Sequence, residues 1–394
     1  MRYSVLHIVG LSFCLLVLLT VSQAGAIGID LKNIKPLKAV TFMPKDEFLA
    51  QTKLVEETPF DDEFLSYSIY LPKDWEVNVD SFEKNIDDLG GGSKALHNRV
   101  LGIVANYISP PTDHQRSFFT LEAVGLDYEI GIRDWFINYI LSEGKSLEGI
   151  SEEDNNRITA TYVEVQKDTT YIVKVVAIIN GPRVVIARYY TTQKLFKGEK
   201  VLQAQVIDSF ELINKEEGGI EELDTLGLLG QSYFDYPVSW TMKAEKVISI
   251  DRMRAQLQRS KSGQDLDGQI KIYLTNKDLG INRSAAFAFY RDEFEVPNYK
   301  ISDLIEKVDM NYHEQMSFGV TDAYRLEPTV PKMIGFELWV SVMEGDDYYY
   351  ILTMLTPSRQ ENFYEWARNV KAFRVVVANT RRSNDGGDYY EFLR

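Results

Sequence analysis

The residues able to do chemistry are few and far apart. Beyond residue 26 the histidines are His97, His114 and His313, and the single cysteine of the chain, Cys14, lies before that point. A zinc site takes its ligands from close helical or hairpin spacing, and no two of these histidines stand so. His313-Glu314 opens like the H-E-x-x-H helix of a zinc protease, but Ser317 occupies the place of the second histidine. Asp265-Leu266-Asp267-Gly268 has the look of a calcium loop. With Gly268 as its sixth position, however, the first and twelfth positions are Gly263 and Leu274, neither of which offers a carboxylate. Gly90-Gly91-Gly92-Ser93 lacks the lysine of a phosphate loop and reads as a flexible insertion. There is no serine nucleophile elbow and no cysteine nucleophile. The 58 acidic residues could always supply a general acid and base, but nothing in the sequence designates two of them. The expectation is a protein that is not an enzyme and uses no cofactor and no metal.

The elements that would position any site fall into two sets. A chain of 394 residues is longer than one hydrophobic core usually organises, so two cores are expected. Residues 1–26 have the form of a signal peptide: Arg2, an apolar stretch from Val5 to Val21, and Ala24-Gly25-Ala26 as a small-residue cleavage site. Cleavage near Ala26 would deliver the chain to the periplasm or outside the cell, and an uncleaved anchor is the alternative. Without Cys14 the mature chain could form no disulfide, so its stability would come from core packing. Its balance would be 42 basic against 58 acidic residues. That charge disfavours nucleic acid, which is bound through basic patches, and limits membrane contact to the periphery.

Composition breaks divide the rest. Residues 27–56 read as a leader segment with Pro36 and Pro44, and 57–215 as the first module. Residues 216–230 form a linker marked by Glu216-Glu217-Gly218-Gly219, 231–380 the second module, and 381–394 a C-terminal tail. The two modules carry the same order of landmarks. A Tyr-rich strand ends in Pro72-Lys73-Asp74-Trp75 and again in Pro237-Val238-Ser239-Trp240, 165 residues on. An amphipathic helix is expected from Ile132, Trp135, Phe136, Tyr139 and Ile140, and its counterpart from Ile301, Leu304, Ile305, Val308 and Tyr312. A long hairpin turns at Asn180-Gly181, and another through Glu344-Gly345-Asp346-Asp347. A closing helix follows. In the second copy Ser358 and Glu361 suggest a capping box, with Phe363, Trp366, Ala367 and Val370 on one face. Phe210 then answers Phe373. The expected fold is α+β, two tandem modules by duplication, each an antiparallel sheet flanked by helices.

This order of landmarks, ending in Val206-Ile207-Asp208-Ser209-Phe210, resembles the PsbP/DcrB-like family, within the superfold shared by PsbP and the Ran-binding import factor. The resemblance covers residues 63–214 and 231–378, although the second copy has Ala372 where the serine would stand. It implies a non-catalytic docking or assembly module with no common catalytic residue to carry over.

The leading functional expectation is a binding or assembly protein that docks an envelope or secreted protein partner. Tyr389, Tyr390, Phe392 and Leu393 of the tail are candidate contacts, because four large apolar side chains on a short tail are costly to leave in water. One alternative is a carrier of an apolar or sugar ligand between sheet and helix. Tyr348, Tyr349 and Tyr350 are candidates to line it, and alternation puts Tyr349 on the opposite sheet face from the other two. The other alternative is a hydrolase with carboxylates that the sequence does not designate.

Overall fold

The computed structural model describes residues 34–78, 99–228, 232–249, 252–260, 267–290 and 294–382. The proposed signal peptide, His97, Gly90 to Ser93, Asp265-Leu266 and the four tail candidates Tyr389, Tyr390, Phe392 and Leu393 lie outside them.

Strands dominate, and the two modules share one topology. The first begins with helix α1 (Lys45–Gln51) and strand β1 (Thr52–Glu57), then β2 (Tyr67–Pro72), β3 (Glu76–Val77), β4 (Arg99–Ile108) and β5 (Phe118–Gly125). Helix α2 (Ile132–Ser142) leads into β6 (Ser146–Asp154), β7 (Arg157–Gln166), β8 (Thr169–Asn180) and β9 (Arg183–Thr192), and α3 (Phe196–Asp208) into β10 (Glu211–Leu212). The second repeats the order. It runs β11 (Leu223–Leu228), β12 (Ser232–Pro237), β13 (Thr241–Ser249), β14 (Arg252–Arg259), β15 (Gly268–Asn276), α4 (Arg283–Tyr290) and β16 (Tyr299–Val308). It continues through β17 (Phe318–Pro328), β18 (Phe336–Glu344), β19 (Tyr348–Pro357), α5 (Phe363–Ala378) and β20 (Arg381–Arg382). The large sheets are ordered β3-β4-β5-β9-β8-β7-β6 and β13-β14-β15-β19-β18-β17-β16, and the small ones β1-β2-β10 and β11-β12-β20. Each module therefore draws its first strand, β1 or β11, from the segment that composition separates as leader or linker.

The tryptophan motifs behave as strand-end turns. Trp75 N donates to Pro72 O at 3.1 Å and Trp240 N to Pro237 O at 2.9 Å, and both indoles are buried. Helix α2 forms because its apolar residues recur at helical spacing, with Ile132, Trp135, Phe136 and Ile140 all buried against the sheet. It stops at Gly144, whose φ of 68° belongs to the left-handed region. There Gly144 N reaches Leu141 O and Lys145 N reaches Ile140 O, so the last carbonyls are satisfied. Strands β8 and β9 are covered on both faces, hence their nearly unbroken apolar runs. Val173, Val175 and Ala177 pack toward α2, while Val176 packs toward α3 and β2.

Four sequence expectations need correction. Ile301 to Tyr312 is not a helix, because residues 299–308 form β16, an edge strand paired with β17. Register shifts between Ile301 and Leu304 and between Leu304 and Glu306 reset its alternation, and the reset leaves apolar residues at helical intervals. The true counterpart of α2 is α4, which follows β15 as α2 follows β5. Second, the closing helix α5 is capped by Asn362, whose side chain accepts from Glu365 N, rather than by Ser358 and Glu361. Ser358 O instead accepts from the amides of Glu361 and Asn362 in the preceding turn. Third, Phe373 lies inside α5, whereas Phe210 follows the end of α3, so the position matching Phe210 is Thr380. Finally, in the first hairpin Asn180 pairs with Arg183, so Gly181 and Pro182 are the turn residues, and of the Asn-Gly pair only Gly181 takes a positive φ.

The modules pack through α2 of the first against α5 of the second, and one apolar cluster runs through both. Arg368 of α5 lies 3.5 Å from the ring centre of Tyr128, just ahead of α2, a cation–π contact across the junction.

Candidate functional site

The sequence-designated chemistry does not assemble. His114 is exposed in the turn between β4 and β5, and His313 Nδ1 accepts from Gln315 N at 3.3 Å. Among the described residues no group of three potential ligands is placed to hold a metal ion, and no helix is long and apolar enough to cross a membrane. Tyr348, Tyr349 and Tyr350 are all buried. Tyr349 donates to Ile281 O at 3.2 Å and the Tyr350 hydroxyl meets Ser232 Oγ at 3.2 Å, so these two rings are tied into the second module and all three belong to its packing.

What the first module does assemble is a cavity of about 320 Å³ between the sheet and α3. Alternation along β8 sends Ile172 and Lys174 to the α3 face, and Thr161 and Val163 of β7 stand beside them. Helix α3 adds Phe196, Lys200, Gln203 and Ala204. The remaining wall is a strap, residues 35–43, that contributes Leu37, Lys38 and Val40. The strap is tied at both ends. Leu37 N donates to Ile150 O at 3.0 Å and Ile150 N to Lys35 O at 3.1 Å; at the far end Met43 N donates to Gln205 Oε1 at 3.2 Å and Gln205 Nε2 to Met43 O at 3.3 Å. Gly149 permits the first tie. A Cβ there would sit 3.0 Å from Pro36 O and 3.1 Å from Leu37 Cα.

Lys174 is the unusual member. It is 8% exposed, yet among the described residues its ammonium forms no ion pair and donates no hydrogen bond. Burial pushes its pKa down from 10.5 to about 8, against the opposing pull of the Asp208 and Glu153 carboxylates. Buried charges in proteins are ordinarily paired, because an unpaired one costs several kcal/mol. Next to it Gln203 is fixed by donation from Nε2 to Ile172 O and Tyr189 O, both at 2.9 Å. Two carbonyl acceptors require the amide nitrogen on that side, which turns Oε1 away from them. Lys38 and Lys200 are exposed at the rim with Glu148, the single carboxylate among the described lining residues.

A larger crevice of about 720 Å³ lies at the module junction, lined by Asn180 and Gly181 of the first hairpin and by Lys371 of α5. Its principal polar groups are already spoken for. Asn180 Nδ2 donates to Phe64 O and Asn214 O, Asn180 Oδ1 accepts from Glu216 N, and Glu216 pairs with Arg183 at 3.2 Å. Glu129 Oε1 accepts from the amides of Ile220 and Glu221. The smaller cavity is thus the one whose chemistry is left open to a ligand. Sequence reasoning missed it, although a signal existed: Lys174 is the one charged residue in Tyr171 to Ile179, a run otherwise apolar on both faces.

No protein-family model and no curated protein sequence matches the chain. Among solved structures it is similar to the solution structure of cyanobacterial PsbP (CyanoP) from Synechocystis sp. PCC 6803. The identity is 12% over 40% of this chain and 92% of that one, with a TM-score of 0.28. It is also similar to the di-domain ARO/CYC StfQ from the steffimycin biosynthetic pathway, at 7% identity over 72% of this chain and 87% of that one, with a TM-score of 0.13.

Proposed function

We propose that this chain is a non-catalytic binding protein whose first module carries a small amphipathic anion in the cavity between the sheet and α3. The observation that carries the reading is Lys174, a buried ammonium lining the cavity that forms no ion pair among the described residues, with the Asp208 and Glu153 carboxylates acting on it only from beyond ion-pair range. A carboxylate in the cavity would supply the missing partner, and a charge-assisted hydrogen bond of that kind is worth about 1.5–3 kcal/mol. Leu37, Val40, Val163, Ile172, Phe196 and Ala204 would meet the apolar body of the ligand. With Glu148 as the sole lining carboxylate, the pair that a carboxylate-based hydrolase needs is not gathered there, which favours retention over turnover. Carriage of such a ligand suits the periplasmic or secreted location that the signal-peptide form of residues 1–26 suggests.

Calorimetric titration with straight-chain carboxylates of six to ten carbons tests this. Binding by the wild type that is lost in Lys174→Met supports the reading. Equal heats from both proteins, or none from either, would end it.

A second reading, docking of a protein partner, draws support from the second module. Ile301 and Leu304, 42% and 46% exposed, lie on the edge strand β16, where an uncovered apolar row invites a partner. The pair of substitutions Ile301→Lys and Leu304→Lys would abolish a partner's binding while leaving carboxylate binding intact.

A further inference from the structure

The three amines of the cavity are not equivalent. Lys38 and Lys200 stand exposed at the rim, while Lys174 is buried on the floor beside Ile172 and forms no ion pair among the described residues. We propose that Lys174 captures its ligand reversibly as an imine with the carbonyl carbon of an oxo acid, whose carboxylate is held by the rim ammoniums of Lys38 and Lys200. This rests on the carrier reading of the same cavity: a ligand with a carboxylate alone pairs it with the Lys174 ammonium, whereas an oxo acid enters carbonyl first and leaves its carboxylate at the rim.

The chemistry follows from the burial. Only the free amine attacks a carbonyl, and burial in the cavity favours that form over the opposing pull of the Asp208 and Glu153 carboxylates. With its pKa near 8, about one Lys174 in ten is a free amine at pH 7, against roughly one in a few thousand for an ordinary exposed lysine. The nitrogen lone pair forms the C–N bond as the carbonyl π electrons move to oxygen. The oxygen takes protons from a rim ammonium or water and leaves as water, the nitrogen gives up its protons, and C=N remains. One amine and one carbonyl thus become one imine and one water, with no oxidant or reductant. A carbonyl and a carboxylate on one short chain are what a floor amine and two rim ammoniums can hold at once, and the apolar wall accepts the methylenes between them.

The test treats the full chain at pH 7 with 6-oxohexanoate and cyanoborohydride, which delivers hydride to the C=N bond and makes the adduct permanent, followed by peptide mapping. The expected result is labelling at Lys174 at least tenfold above that at Lys38 or Lys200, suppressed by excess hexanoate. Labelling spread over surface lysines, or concentrated at the rim, overturns the imine. If hexanoate still binds in calorimetry, the carrier reading survives that loss. If hexanoate does not bind either, both fall.

Discussion

Glu129 and Glu221 exchange hydrogen bonds across the junction of the two modules. Glu129 N donates to Glu221 Oε1 at 2.8 Å, and Glu221 N donates to Glu129 Oε1 at 3.2 Å. Glu221 also reaches into the second tryptophan turn, accepting from Ser239 N at 2.9 Å and Ser239 Oγ at 3.0 Å. One side chain therefore joins the segment ahead of α2 to the turn that closes β12.

Glu221→Ala removes the acceptor for two main-chain amides at once. A buried donor left unpaired costs about 1–3 kcal/mol, so the chain should lose about 2–4 kcal/mol in urea denaturation. A loss below about 0.5 kcal/mol would mean that water replaces the carboxylate and that the junction is held by α2 and α5 alone.

The second module has a comparable knot at Glu337. This buried carboxylate accepts from Trp339 Nε1 at 3.2 Å, Trp366 Nε1 at 2.9 Å and Arg359 Nε at 2.8 Å, tying β18 to α5. Glu337→Leu strands two indole donors and a largely buried guanidinium, for an expected cost of about 3–5 kcal/mol. Glu337→Gln keeps one acceptor oxygen and should cost clearly less. Equal midpoints for the two variants in thermal unfolding would show that the charge, and not the acceptor geometry, holds the knot.

The repeat was legible because its landmarks are local. A proline that ends a strand, a tryptophan three residues later, and a glycine in a hairpin turn each constrain their own neighbourhood whatever lies across the sheet. Helix α2 was legible for the same reason. Strand β16 was not, because its bulges are set by pairing with β17, and the extra residues they insert convert a period of two into intervals of three and four. The cavity was hidden for a further reason. Lys38, Lys174 and Lys200 come from a strap, a strand and a helix, and only the sheet order and the tie between Pro36 and Ile150 bring them together. The isolated lysine in an apolar strand was visible; its burial without an ion pair among the described residues was not.

Gly149 offers a way to open the cavity without touching its floor. In Gly149→Val the new side chain would press on the backbone of Pro36 and Leu37, which cannot yield while Leu37 N remains bonded to Ile150 O. The strap should lift, removing the wall formed by Leu37, Lys38 and Val40. Carboxylate affinity should fall about tenfold, which corresponds to about 1.4 kcal/mol. Proteolysis within residues 35–43 should accelerate, with little change in the melting temperature of the sheet. Unchanged affinity would exclude the strap from the site.

Lys174 should cost the empty protein stability, and the pH dependence carries the sign. Its folded pKa of about 8 lies below the unfolded 10.5, so below pH 8 both states hold the proton and the full penalty of burying an ammonium applies. Between about pH 8 and 10.5 the unfolded chain holds a proton that the folded one has released, and the contribution of this residue to stability rises with pH. Above that window the penalty is gone. A shift of this size corresponds to about 3 kcal/mol as an upper figure. Lys174→Met should therefore be more stable than the wild type by about 1–3 kcal/mol at pH 7, with the difference shrinking as pH rises from 8 to 10.5, while carboxylate binding is lost. Gain of stability with loss of binding is the mark of a residue kept for its ligand. A variant less stable than the wild type at pH 7 would show that the ammonium has a stabilising partner within the fold, and the cavity would then lose its claim to a ligand.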